Sequence, residues 1–238
     1  MNDNAASMPR LAVSDPGYRE PPRVMPRRAE ALRVRRILPG EPLGDVQRLR
    51  REVYFHEQGR HSDTSKRIAD GLDGYGAVIV VESGVQAVGT LRLHDFAAPA
   101  VQVEYGNLFQ VDEFARAWPL QQLAVGTRFA VQSDQRIKSV VDQLLEETYR
   151  HAQDNGMRYG LVACAPSLHG LFEYYGFREY LPPAILPGGI DLLRMVLVID
   201  DAPHLRECDS PLQRLVRNPE AGQVSRAWLA RGFKLSDA

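Results

Sequence analysis

The chain has 238 residues, 44% hydrophobic and 25% charged, with a formal net charge of −1, the composition of one ordinary soluble domain with tails. Near-neutrality excludes bulk nucleic-acid binding as the main role, and two cysteines, Cys164 and Cys208, offer neither a disulfide framework nor metal-ligand spacing. No run approaches a membrane span and no apolar signal segment opens the chain, so a cytoplasmic protein without a membrane segment is expected.

Residues 1–30 include "SDPGYREPPRVMPRRAE", rich in proline and arginine with no periodic apolar face, and are expected to be a disordered or extended tail. "LRVRRIL" (32–38) alternates as a strand. In "PLGDVQRLRREVYFHEQG", Val46, Leu49, Val53 and Tyr54 fall at helical spacing, with proline before and Gly59 after. A short helix is expected near 64–72. "AVIVVESGVQAVGTLRLHDF" then predicts two strands joined by a tight turn at Ser83–Gly84. Residues 97–120 look like an irregular insert with its own apolar side chains, among them Phe109 and Trp118.

A strand over 123–132 and a helix over 139–155 follow, the helix burying Val140, Leu144, Tyr149 and Ala152 and closing at Asn155–Gly156. "YGLVACA" (159–165) is a buried strand and "SLHGLFEYYGF" (167–177) a short helix with a serine cap. "AILPGGIDLLRMVLVID" predicts a final hairpin, and 201–238 a helical arm that caps its own domain or reaches a second subunit. Antiparallel strands followed by a parallel pair with a crossover helix require a mixed α/β sheet. We therefore expect a domain over 31–200, about seven strands flanked by helices.

The turn "QSDQRIKS" lies between a strand and a helix N-terminus, where backbone N–H groups commonly cradle a phosphate, yet it has no glycine. With "GTLRL" and "LFEYYGF" and the element order over roughly 32–199, it resembles the GNAT acyltransferase superfamily. The superfamily's donor motif is arginine or glutamine, two residues, glycine, one residue, then glycine or alanine. Here Arg136 takes the first place, but Ser139 and Val141 replace the small residues. Phe172 stands where ordinary members often carry a tyrosine that protonates the leaving thiolate.

Further short patterns resemble one branch, the acyl-homoserine-lactone synthases and N-acyl amino acid synthases. They are "RREVYFHEQG" with Arg50 and Tyr54, "ADGLDGYGAVIVV" with Asp70 and Asp73, Arg92 in "VGTLRL" and Arg128 in "GTRFAV". That branch accepts acyl chains from acyl carrier protein, so no diphosphate needs holding. Val125 stands where the lactone synthases have glutamate, which points away from lactone synthesis and towards amino acid acylation.

The resemblance implies transfer of a fatty acyl group from acyl carrier protein, or acyl-CoA, to an amine, with no bound cofactor. It implies donor contacts near Phe129, Ala130 and Val131 and at Arg136, Lys138 and Ser139. Arg92 and Arg128, set among apolar neighbours, need carboxylate partners: either Asp70 and Asp73 or a substrate carboxylate in a bidentate grip. Glu104 in "VQVEYGN" is a candidate base, its apolar flanks suited to raising its pKa; the alternative is a solvent-facing glutamate on an alternating strand. His94 is a second candidate base, or a surface histidine at a strand end. Phe109 and Trp118 are candidates to line an acyl tunnel. Cys164 fits a buried strand cysteine better than a nucleophile. Arg136, Lys138, Arg150 and Arg158 form either a rim that docks the acidic carrier or ordinary solvated charges. The expected state is a monomer or homodimer. Two rival readings remain: an ordinary acetyl-CoA-dependent acetyltransferase, and a non-catalytic acyl-binding module.

Overall fold

Alternating and continuous apolar runs make the sheet, and the helices cover it because each carries one apolar stripe. The computed structural model describes residues 31–38, 40–57, 70–133, 138–186 and 189–233. The tail expected over 1–30 and residues 64–69 of the expected second helix lie outside them.

Strand β1 (Leu32–Ile37) leads to helix α1 (Gly44–Arg51), which continues as a wider π-helical turn over Glu52–Glu57. Val46, Leu49, Val53 and Tyr54 are buried, and so is Arg50 on the same stripe. A 3₁₀ turn, Gly71–Tyr75, is capped by the Asp70 carboxylate accepting from the Leu72 N–H at 3.0 Å. Strands β2 (Ala77–Ser83) and β3 (Gln86–Asp95) form the expected hairpin.

The insert is helical, not irregular. Pro99 opens α2 (Pro99–Phe109), and Gln110 in a left-handed conformation (φ 50) turns the chain into α3 (Val111–Ala115). Two short helices set at an angle do not sustain one apolar period, which is why the sequence masks them.

Strand β4 (Leu123–Val131) is joined through α4 (Lys138–Asp154) to the parallel strand β5 (Tyr159–Cys164). α4 buries Val140, Leu144, Leu145, Tyr149 and Ala152; each fully buried Val or Leu contributes about 1.5–3 kcal/mol. It ends where Gly156 takes φ 66, letting the Met157 N–H return to the Ala152 carbonyl at 2.9 Å. Helix α5 (His169–Tyr174), strands β6 (Arg178–Leu186) and β7 (Ile190–Val198), and helices α6 (Ala202–Glu207) and α7 (Pro219–Phe233) complete the chain.

The sheet order is β1-β2-β3-β4-β5-β7-β6, with β4–β5 the parallel pair. Adjacent residues on one strand enter different cores. Ala124, Val162 and Leu197 join α4 on one face, whereas Leu123, Val125, Tyr159 and Val198 join Val101, Phe109, Phe114 and Leu229 on the other. α1 packs on that second face too, over Val78, Val80 and Ala130.

Helix α7 of the arm packs back on its own domain, and the described residues form one compact unit. Gly222 of α7 lies against the backbone of Asp200, where an added Cβ would fall 1.9 Å from the carbonyl oxygen. The Tyr159 hydroxyl donates to the Ser225 carbonyl at 2.9 Å. No described helix is long and apolar enough to cross a membrane.

Candidate active site

Between the two apolar patches of that second face lies an ion cluster, assembled from four elements. α1 supplies Arg50, the 3₁₀ turn and its cap supply Asp73 and Asp70, β3 supplies Arg92, and β4 supplies Arg128 and Thr127. Arg50 Nη1 donates to both Asp73 oxygens at 2.9 and 3.0 Å. Arg92 Nη1 donates to Asp70 Oδ1 at 2.5 Å and to Asp73 Oδ1 at 2.9 Å, while its Nε donates to Thr127 Oγ1 at 3.0 Å. Arg128 Nη2 also donates to Asp70. Arg50 and Arg92 are fully buried, which the carboxylates make tolerable.

Charge balance sets the protonation states. Burial acts to raise the Asp70 pKa, but hydrogen bonds and charges from Arg92 and Arg128 outweigh it and hold the carboxyl below its ordinary value. Burial pulls Arg92 down, and Asp70 more than restores it. For Arg50, burial wins over Asp73, and its pKa falls.

A bulge in β4 places the cluster's outer edge. Thr90 pairs with Ala130 and Arg92 with Thr127, so Arg128 and Phe129 together oppose Leu91. Arg128 takes φ 56, and Thr127 and Arg128 thereby face the same side of the sheet. Phe129 turns to the α4 face, its ring 5.9 Å from that of Phe172, and its carbonyl accepts from the Tyr54 hydroxyl at 3.3 Å.

At the same point β4 leaves β5. Their pairing runs from Leu123↔Tyr159 to Gly126↔Val162 and stops, although β4 continues along β3 and β5 continues along β7. Over Thr127–Val131, β4 therefore runs on without pairing to β5, and this stretch holds Phe129, Ala130 and Val131.

On the α4 face an apolar cavity of about 30 Å³ lies under the helix, between Leu145, Tyr149 and Ala152 above and Leu91, Gly126, Gly160 and Val162 below. Two glycines, where side chains would otherwise stand, hollow the sheet there. Phe172 borders the cavity and touches Phe129 where β4 has left β5.

The other sequence candidates are placed differently. His94 is fully buried; burial first, then the neighbouring Arg92 charge, lowers its pKa to about 4. It is not a surface histidine, and it meets no solvent. Glu104 stands exposed on α2, without the apolar enclosure expected of it and not on a strand. Phe109 and Trp118 pack towards α7 rather than around the cavity, which is on the opposite sheet face. Phe109 is in the core and its carbonyl accepts from Tyr180. Trp118 meets Trp228 edge to face, with the Arg158 guanidinium 4.4 Å from its ring centroid.

Arg136 lies outside the described residues; Lys138 and Ser139 are exposed at the start of α4. The expected basic rim is largely neutralised: Lys138 pairs with Asp142 and Arg150 with Glu146 and Glu147, while Arg158 stacks on Trp118. Tyr175 is buried and donates to Asp142 at 2.6 Å, so its proton is engaged. Burial pushes the Cys164 thiol up to about 11, which leaves it a poor nucleophile.

Sequence reasoning missed Thr127 and Tyr105. Thr127 joins the cluster through a cross-strand bond that only the β3–β4 register reveals. Tyr105 sits on the inner side of α2, half-buried, within electrostatic reach of Arg92, Arg128 and Asp70. Its only signal was a tyrosine beside Glu104 in an insert whose helical period was not recognised.

Comparison with known proteins agrees with this geometry. The structure of FeeM, an N-acyl amino acid synthase from uncultured soil microbes, is similar over 79% of this chain and 100% of its own, at 15% identity and a TM-score of 0.58. BjaI, a CoA-dependent acyl-homoserine-lactone synthase solved with SAM and isopentyl-CoA, covers 78% of this chain and 91% of its own, at 19% identity and TM-score 0.54. An acyl-CoA N-acyltransferase from Pseudomonas aeruginosa covers 70% and 99%, at 18% and 0.52. At these identities the likenesses establish the GNAT-like fold. No curated protein sequence matches the chain. The model of the family described as N-acyl amino acid synthase FeeM matches residues 45–192, well over half of the chain and all of the cluster, the bulge and the cavity lining through α4. With that match, the chain belongs to the FeeM family of N-acyl amino acid synthases and is an acyltransferase.

Proposed function

We propose that the protein moves a fatty acyl group from the phosphopantetheine thioester of acyl carrier protein to the amine of an amino acid, in the cytoplasm. The observation that carries this reading is the parting of β4 from β5 after Gly126↔Val162. A strand edge that its neighbour has left, here around Ala130, can offer backbone groups to the amides of a pantetheine arm. It has an apolar cavity on one face and a guanidinium–carboxylate cluster on the other. The apolar α4 face suits the acyl chain, although its cavity takes only about one methylene until α4 shifts, and the cluster suits the acceptor's carboxylate, so the thioester carbonyl would meet the amine at the bulge.

The amine nitrogen attacks the thioester carbonyl carbon, the C–N bond forms and the C–S bond breaks. The proton lost by the amine balances the departing thiolate. Such a direct transfer needs no protein nucleophile and gains most of its rate from positioning. Ser139 and Val141 in place of small residues at the start of α4 support a donor without a diphosphate.

Mass spectrometry of products tests this, with long-chain acyl carrier protein or acyl-CoA offered beside a pool of amino acids. An N-acyl amino acid formed preferentially from the carrier is expected. Transfer from the CoA donor alone would overturn the carrier assignment. No amide from either donor would overturn the whole reading.

A further inference from the structure

Most inward-facing tyrosines of the described residues spend their hydroxyl on an internal acceptor. Tyr54 bonds the Phe129 carbonyl, Tyr149 bonds Asp200, Tyr159 the Ser225 carbonyl, Tyr175 Asp142 and Tyr180 the Phe109 carbonyl. Tyr105 does not: its hydroxyl makes no hydrogen bond to a described residue. Yet α2 holds it firmly. Val101, Tyr105 and Phe109 follow at four-residue spacing on one helix face, and the two flanking residues are fully buried. The ring is packed at the edge of the aromatic core, and α2 runs beside the 3₁₀ turn that carries Asp73.

A half-buried phenol held this way keeps its hydroxyl available to a ligand. The neighbourhood states its charge: Tyr105 interacts with Arg92, Arg128 and Asp70, and Arg128 forms the partly exposed edge of that group. Burial raises the Tyr105 pKa despite the opposing pull of the arginines, so the hydroxyl keeps its proton and acts as a donor. A hydrogen-bond donor beside a guanidinium fits an anion with two oxygens.

We propose that Tyr105 is an acceptor-binding residue whose hydroxyl donates to the carboxylate of the amino acid at the Arg128 edge of the ion cluster. This rests on the acyl-transfer reading given above. It adds that Tyr105 shares the acceptor's carboxylate with Arg128, and that simple amines are poor acceptors for want of that bond.

Tyr105→Phe removes one oxygen and keeps the ring, so the fold is retained. Steady-state kinetics on the full chain are compared for an amino acid and for its decarboxylated amine, the donor held constant. The variant is expected to raise the amino acid KM about tenfold, equivalent to about 1.4 kcal/mol, with kcat and donor KM little changed. For the decarboxylated amine, variant and wild type are expected to agree. Equal amino acid KM in the two proteins, or equal losses on both acceptors, would overturn the assignment while leaving acyl transfer standing. Absence of amide formation by the wild type would instead overturn the underlying reading together with this one.

Discussion

Thr127 and Arg128 are neighbours in β4, yet their side chains reach the same ion cluster, one bonded to Arg92 and the other to Asp70. Strict alternation would send Arg128 to the α4 face, into the apolar core. The bulge opposite Leu91 prevents this, at the cost of a left-handed backbone at a non-glycine residue. Such a conformation persists where surrounding contacts over-determine it, and here they do so where β4 has left β5.

Arg128→Ala is expected to raise the acceptor KM by about 10–100-fold, the range for losing a charged hydrogen bond of about 1.5–3 kcal/mol. Because the Arg128–Asp70 pair is partly exposed, the stability loss should stay near 1–2 kcal/mol with unfolding still cooperative. Kinetics beside urea unfolding separate the two roles. A normal KM in a protein that has lost its fold stability would make Arg128 structural.

Arg92 should behave otherwise. It is fully buried and bridges both aspartates, so Arg92→Met leaves two carboxylates short of a partner. We expect a loss of about 3–5 kcal/mol in denaturant unfolding. A change below about 1 kcal/mol would show that the cluster reorganises around the gap.

Gly126 probes the cavity. An added Cβ would lie 3.2 Å from Val162 Cγ1, a contact that a small side-chain shift relieves. Gly126→Ala is therefore expected to change stability by no more than about 1 kcal/mol and to shift donor preference towards shorter acyl chains. An unchanged chain-length profile, measured with a series of acyl donors, would remove the cavity from the acyl path.

His94 makes stability depend on pH. Its folded pKa of about 4 lies below the ordinary 6.5, so the unfolded chain binds the proton more readily than the folded one. Its contribution is complete above pH 6.5 and is lost as pH falls to about 4, a change of about 3 kcal/mol. His151 and His204 are lowered by burial as well and share the sign. Denaturant unfolding of His94→Gln between pH 4 and 7 should show a shallower slope than wild type; parallel slopes would mean that His94 does not titrate in the unfolding window.

Glu104 stands exposed on α2. Glu104→Gln is expected to keep kcat within about tenfold, below the 10²–10⁴ that positioned bases contribute. A larger loss, together with a flattened pH–rate profile, would restore it as the proton acceptor.

Much of the fold was legible along the chain. The seven strands and α4 carry unambiguous periods, and the buried side of α4 follows directly from Val140, Leu144, Tyr149 and Ala152. The insert was not, because the apolar positions of α2 do not carry on in register through α3 once Gln110 turns the chain. Among the site residues, Arg50, Asp70, Asp73, Arg92 and Arg128 stood out as charges amid apolar neighbours; who pairs with whom did not. Asp70 and Arg128 are 58 positions apart, and only the sheet brings them together.

The amino-acid sequence by itself determined that a mixed sheet forms, that a crossover helix follows a glycine-free turn, and that buried charges must be reconciled somewhere. Those are consequences of local period and of the cost of burying an unpaired ion. Tertiary structure alone decided that Arg128 faces the cluster, that β4 parts from β5 after Gly126, that His94 is sealed from solvent and that the Tyr105 hydroxyl bonds to none of the described residues. Each of these depends on strand register and on which helix covers which face, and neither is encoded in any short stretch of the chain.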